Sequence, residues 1–150
     1  MIGILFARSI FRMVTHKYSF ELKSNLSELD TLCQHLNKFG HVAGLSEACI
    51  TDINICLDEL FTNIISYGFL DDLEHIVSFT INMDNKVLIF NIEDEGIPFD
   101  PLEKKDPEPL TDLIDAKIGG LGIHIVRKLM DDICYEREQD KNKLTVKKFI

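Results

Sequence analysis

The chain has 150 residues, enough for one domain with a sizeable core, since 45% of them are hydrophobic and only 4 are proline. Its formal net charge of −9 has the wrong sign for gripping a phosphate backbone, which argues against direct binding of nucleic acid. A nucleotide is not excluded, because phosphate sites are made locally by backbone N–H groups and a divalent metal.

The first stretch, MIGILFARSIFRMV, is apolar but carries Arg8 and Arg12 inside it. It lacks the order of a secretory signal, with charge first, then an unbroken apolar run, then small residues. It is also too short to span a bilayer, and no other stretch is long and apolar enough for a membrane. Residues 1–16 therefore read as an extension of open role: a flexible arm, an extra element that packs on a partner, or the result of a start upstream of Met13. Lys17–Leu22 alternates Tyr18, Phe20 and Leu22 against Ser19 and Glu21, the pattern of a half-buried strand. Asn25 with Glu28 three residues on forms a capping-box pattern. The helix that follows carries Leu29, Leu32, Cys33 and Leu36 inward and is expected to end at Gly40. His35 and His41 show no ligand spacing and read as surface or terminal residues.

Ser46 caps a second helix, which runs to about Tyr67 and closes at Gly68. Glu74–Met83 and Val87–Ile92 alternate as the strands of a hairpin about Asp84-Asn85. A polar segment from Asp100 to Lys117 contains Pro101, Pro107 and Pro109, with a short helix expected over Thr111–Ala116. Loops of that length are usually functional or mobile. Gly119, Gly120 and Gly122 precede a helix over residues 122–130 with Ile123, Val126, Leu129 and Met130 inward. Ile133–Arg137 and Lys143–Phe149 complete a last hairpin around Asp140–Asn142. This order predicts an α+β fold: a two-layer α/β sandwich with helices on one face of a mixed, mostly antiparallel sheet, with residues 17–150 as one domain. Cys33, Cys49, Cys56 and Cys134 have no CxxC spacing. They read as buried free thiols in a reducing cytosol rather than a zinc site.

Three stretches carry candidate chemistry. In Ile53–Phe69, Glu59 and Asn63 lie four residues apart and share one helix face. Asparagine is a poor interior helix residue, costing about 0.5 kcal/mol relative to alanine. A magnesium ion would offset that cost, because a carboxamide oxygen is a hard ligand. Glu59 beside the same ion can orient or deprotonate a nucleophile. In Glu93–Pro101, Asp94 can accept from the exocyclic amine of adenine, while guanine presents a carbonyl oxygen there. Gly96 lets a flat base approach the backbone. In Gly119–Met130 the glycines can free N–H groups toward phosphates at a helix start. Lys104, Lys105 and Lys117 adjoin them. The glycine run is neither a Walker A loop nor a dinucleotide fingerprint.

Together LDELFTNIISYGF, EDEGIPFDP and GGLGIHIVRKLMDD resemble the N, G1 and G2 boxes of the GHKL ATPases, and among them the anti-sigma-factor serine/threonine kinases. The similarity runs from about Tyr18 to the C-terminus. It implies a Bergerat fold, Glu59 as general base, Asn63 as Mg²⁺ ligand, and an ATP site of Asp94, Gly96, Gly119, Gly120, Gly122 and a last-strand Thr145. It also implies a cytoplasmic protein that binds a sigma factor and phosphorylates a STAS-type anti-anti-sigma protein, with dimerisation expected. The alternative function is a nucleotide-gated partner-switching module with little or no phosphoryl transfer. Tyr67 stands where the family often has histidine, and Ile118 where a charged residue is common. A histidine-kinase catalytic fragment is disfavoured, since 150 residues leave no room for its helical dimerisation segment.

Overall fold

The computed structural model describes residues 16–103 and 121–150. Strand β1 (His16–Lys23) is followed by helices α1 (Leu29–Val42) and α2 (Glu47–Tyr67), then by β2 (Ile76–Asp84) and β3 (Val87–Asp94). Helix α3 (Leu121–Leu129) and strands β4 (Asp132–Glu138) and β5 (Lys141–Phe149) complete the described chain. The element order is the expected one. The strands lie in the order β1-β2-β3-β5-β4, and all four described ladders are antiparallel. Residues 1–15 of the expected N-terminal extension and the short helix over Thr111–Ala116 lie outside the described residues, while His16, counted with that extension, is the first residue of β1.

The two hairpin turns sit one residue earlier or later than the sequence places them. Asn85 and Lys86 take φ of 47° and 67°, and Gln139 and Asp140 take 49° and 63°. Paired left-handed residues match the twist of the flanking strands, which is why two-residue hairpins favour them. The second shift matters most, because it moves Asn142 from the turn into β5.

Register then sorts side chains into rows across the sheet. Phe20, Phe79, Ile92, Leu144 and Tyr135 form one row, and Tyr18, Ile81, Phe90, Val146 and Ile133 the next. Both rows join the hydrophobic core. A third row on the same face runs Leu22, Val77, Asp94, Asn142, Arg137 and becomes polar halfway across. On the opposite face Ser19, Thr80, Asn91, Thr145 and Cys134 line up.

The helices cover the apolar rows. α2 buries Ile53, Leu57, Leu60, Phe61 and Ile64, and Phe61 meets Phe79 edge to face with ring centroids 5.5 Å apart. Ser46 caps α2 by accepting from the Cys49 N–H at 3.2 Å, and the Gly68 N–H closes it on the Ile64 carbonyl at 2.8 Å. Asn25 caps a short 3-10 turn, Leu26–Glu28, through the Ser27 N–H. α1 does not stop at Gly40. It continues to Val42, and the left-handed residue that ends it is Gly44, with φ 70°. Gly40 is needed for packing, since a Cβ there would come within 2.6 Å of Ile50 Cγ1. His35 stacks on Phe20 at 4.1 Å and burial lowers its pKa. Among the described residues no helix is long and apolar enough to cross a membrane.

Candidate functional site

The second half of α2 carries both of its predicted site residues on the side facing β3 and α3. Asn63 is 6% exposed and lines a cavity together with Asp94, Phe99 and Asn142. Asp94 is the last residue of β3 and is 5% exposed. Its Oδ1 accepts from the Gly96 N–H and from Asn142 Nδ2, each at 2.8 Å. These two donors fix the orientation of the Asp94 carboxylate. The structure thus brings Asn63 and Asp94, 31 positions apart in sequence, to one cleft. That cleft has a volume of about 20 Å³, room for a water molecule but not for a purine. Phe99 forms part of its wall and stacks on Tyr67, which lies outside the cleft lining, with ring centroids 5.7 Å apart.

Gly96 sits at the same end, but its lack of a side chain serves a different neighbour. A Cβ at Gly96 would overlap the carbonyl oxygen of Gly68 and lie 2.8 Å from Asp94 Oδ1. The Ile97 N–H donates to that same Gly68 oxygen at 2.8 Å. The end of α2 and the chain leaving β3 therefore meet backbone to backbone.

Glu59 lies one turn before Asn63 and is half-buried. Its carboxylate rests against Gly122, the second residue of α3, where a Cβ would overlap Oε2. The N-terminal turn of a helix favours such a negative group. Gly122 is buried in this contact. Gly119, Gly120 and the neighbouring lysines Lys104, Lys105 and Lys117 lie outside the described residues. α3 is tied back to the start of that segment by Arg127, whose Nη2 donates to the Leu102 carbonyl at 2.7 Å.

Thr145 is not part of this constellation. It belongs to the outer row of the sheet, where its hydroxyl donates to Asn91 Oδ1 at 3.1 Å, on the face away from the cleft. The last-strand residue beside Asp94 is Asn142, which the sequence pattern places in a turn. The signal was present: with the turn at Gln139-Asp140, residues 142, 144 and 146 alternate onto the inner face. Cys33, expected with the buried thiols, is exposed, as is Cys134, while Cys49 and Cys56 are buried.

Among the described residues no group of three or more His, Cys, Asp or Glu is arranged to hold a metal ion. A divalent ion at Asn63 would take its other ligands from phosphate oxygens and water, as Mg²⁺ commonly does. The donor chemistry of Asn63 fits that role.

Residues 22–148 match the histidine kinase-like ATPase domain. The chain belongs to that family. Within this ATPase family it is similar to the serine/threonine-protein kinase BtrW of Bordetella bronchiseptica, with 29% identity over 63% of this chain and 66% of the relative. It is similar also to the anti-sigma F factor of Geobacillus stearothermophilus, with 27% identity over 61% of this chain and 63% of that protein. With the serine-protein kinase RsbW of Listeria monocytogenes it shares 35% identity over 61% of this chain and 60% of that protein. The matched part spans less than two thirds of the length of these relatives. A crystal structure of the RsbU and RsbW domains of a Mycobacterium tuberculosis protein superposes with a TM-score of 0.65 and 12% identity, over 89% of this chain and 32% of that one. At that identity the likeness is one of fold, and it is the Bergerat-type α+β fold expected from the sequence.

Proposed function

We propose that this chain binds Mg-ATP and transfers the γ-phosphoryl group to a serine or threonine of a STAS-type antagonist protein. In the same reading it holds a sigma factor inactive, acts in the cytoplasm as one ATP-binding unit over residues 17–150, and pairs with a second copy. The observation that supports it is the convergence of Asn63 and Asp94 on one buried cleft, with Glu59 one turn away. Names of the relatives, two of them protein kinases and one an anti-sigma factor, point the same way.

In this reading Asp94 accepts the adenine amine and Asn63 offers its carboxamide oxygen to Mg²⁺. The ion, when bound, neutralises charge on the phosphates. Glu59 takes the proton of the attacking hydroxyl as the new O–P bond forms. The bond from the γ-phosphorus to the β–γ bridging oxygen breaks, and ADP leaves. Gly119, Gly120 and Gly122 supply backbone N–H groups to the phosphates.

The test is transfer of label from γ-labelled ATP to a purified STAS-type protein. Wild type is expected to transfer it, and Glu59→Ala to lose about 10²–10⁴-fold in rate while still binding ADP. A second reading, a nucleotide-gated switch with little transfer, is favoured by the contact between the Glu59 carboxylate and Gly122. A Glu59→Ala chain that regulates its partner normally decides for the second reading.

A further inference from the structure

Lys147 and Lys148 are neighbours on β5, and the strand period of two sends them to opposite faces of the sheet. Lys147 lies on the outer face and pairs with Asp132 at 3.0 Å. Lys148 lies on the inner face, opposite Leu88, and its side chain is 16% exposed. A lysine so covered is costly unless its ammonium is partnered. Here Nζ donates to Asp52 Oδ2 on α2 at 3.1 Å and to the Leu129 carbonyl at 2.8 Å. Leu129 is the last residue of α3, so its carbonyl is one of the four that a helix leaves without an internal partner. A cation is favoured at that end. One ammonium therefore joins β5, α2 and α3.

Asp52 lies seven residues before Glu59 on α2, and Leu129 seven residues after Gly122 on α3. Both spans are about 10 Å long. The two helices thus meet at two matched points, Lys148 at one and Glu59 against Gly122 at the other. Between them Ile123 and Val126 are fully buried. Apolar burial holds α3 against the core but has no direction, so it resists a tilt less sharply than hydrogen bonds do. The Asp131 N–H, two residues past α3, ties the chain to the Lys147 carbonyl at 2.9 Å. Lys148 extends that attachment to α2. A tilt of about 10° about this end would carry Gly122 by about 2 Å.

We infer that Lys148 is a positioning residue. By pinning the C-terminal end of α3 to Asp52, it sets where Gly122 stands relative to Glu59. The consequence for rate rests on the function proposed above, since a misplacement of about 1 Å at the reacting groups costs up to about 10²-fold.

Label transfer, amide hydrogen exchange and urea unfolding of the full chain test it. Lys148→Met keeps the stem and removes the ammonium. Its turnover is expected to fall about ten- to a hundred-fold. ADP affinity should stay within about three-fold of wild type, because Asn63 and Asp94 do not belong to α3. The α3 amides should exchange about ten-fold faster, while β2 and β3 keep their protection. Lys148→Arg, which still has donors for both acceptors, should restore turnover and exchange. Stability alone also suffers when Asp52 is left unpaired. Lys148→Met combined with Asp52→Leu separates the two effects, because it should recover the urea midpoint without recovering turnover or α3 protection.

Wild-type turnover in a folded Lys148→Met overturns the inference, and so does wild-type exchange of its α3 amides. A double variant that regains turnover together with its midpoint overturns it too, and decides alone if the single variant fails to fold. A wild-type chain that transfers no label sinks the kinase reading instead. Exchange of the α3 amides then decides by itself whether Lys148 holds the helix.

Discussion

At the Asp94 end of the cleft, Gly96 and Gly68 meet through their backbones, whereas at the other end Glu59 meets Gly122 through the tip of a flexible side chain. The first contact is backed by a ladder row and by the Asn142 amide, so few of its atoms can move alone. The second can be undone by a rotamer change costing about 1 kcal/mol. In the proposed function the difference suits the two ends to different roles. Recognition of a base gains from a preformed acceptor, while phosphoryl transfer is governed by where the reacting groups are held at the moment of reaction.

The largest expected effect comes from forcing the rigid end. Gly96→Ala sets a methyl group into the Gly68 carbonyl, where only backbone can yield. It should destabilise the fold by about 1–3 kcal/mol, read as a lower urea midpoint with an unchanged slope. An unchanged midpoint would erase the contrast between the two ends. Gly122→Ala is the matched change at the flexible end. The atoms nearest its methyl group belong to the flexible end of the Glu59 side chain, so stability should stay within about 1 kcal/mol of wild type while label transfer falls about ten-fold or more. A variant that loses stability instead would show that the Glu59 end is as rigid as the other.

The smallest effect is a reactivity count that leaves the fold untouched. Burial pushes the Cys56 thiol up to about 12 and raises that of Cys49 as well. With a thiol reagent at about pH 8, where only the thiolate reacts, Cys33 and Cys134 should be modified quickly and the α2 cysteines slowly. If α2 stays fixed while the cleft opens through Phe99, adding ADP should leave Cys56 protected. Faster modification of Cys56 with ADP would mean that the helix itself moves.

Most elements were legible in the chain because their cause is local. Ile53, Leu57, Leu60 and Ile64 recur at helical spacing and are buried on α2. Val77, Phe79 and Ile81 alternate and are buried on β2. Ser46 caps α2 as expected. Glu59 and Asn63 on one helix turn also needed only sequence spacing. Gly40 was misread because a glycine near a helix end has two explanations, and the closeness of Ile50 across α1 and α2 is not a local property.

What the sequence determined by itself was the kind of each element and the pair of carboxylate and carboxamide on α2, because both follow from short-range periodicity. Which last-strand side chain stands beside Asp94 was decided only by the tertiary structure. Strand pairing has a period of two, so moving a turn by one residue sends every following side chain to the other face. With the turn at Gln139-Asp140, Thr145 goes to the open face and Asn142 to the cleft.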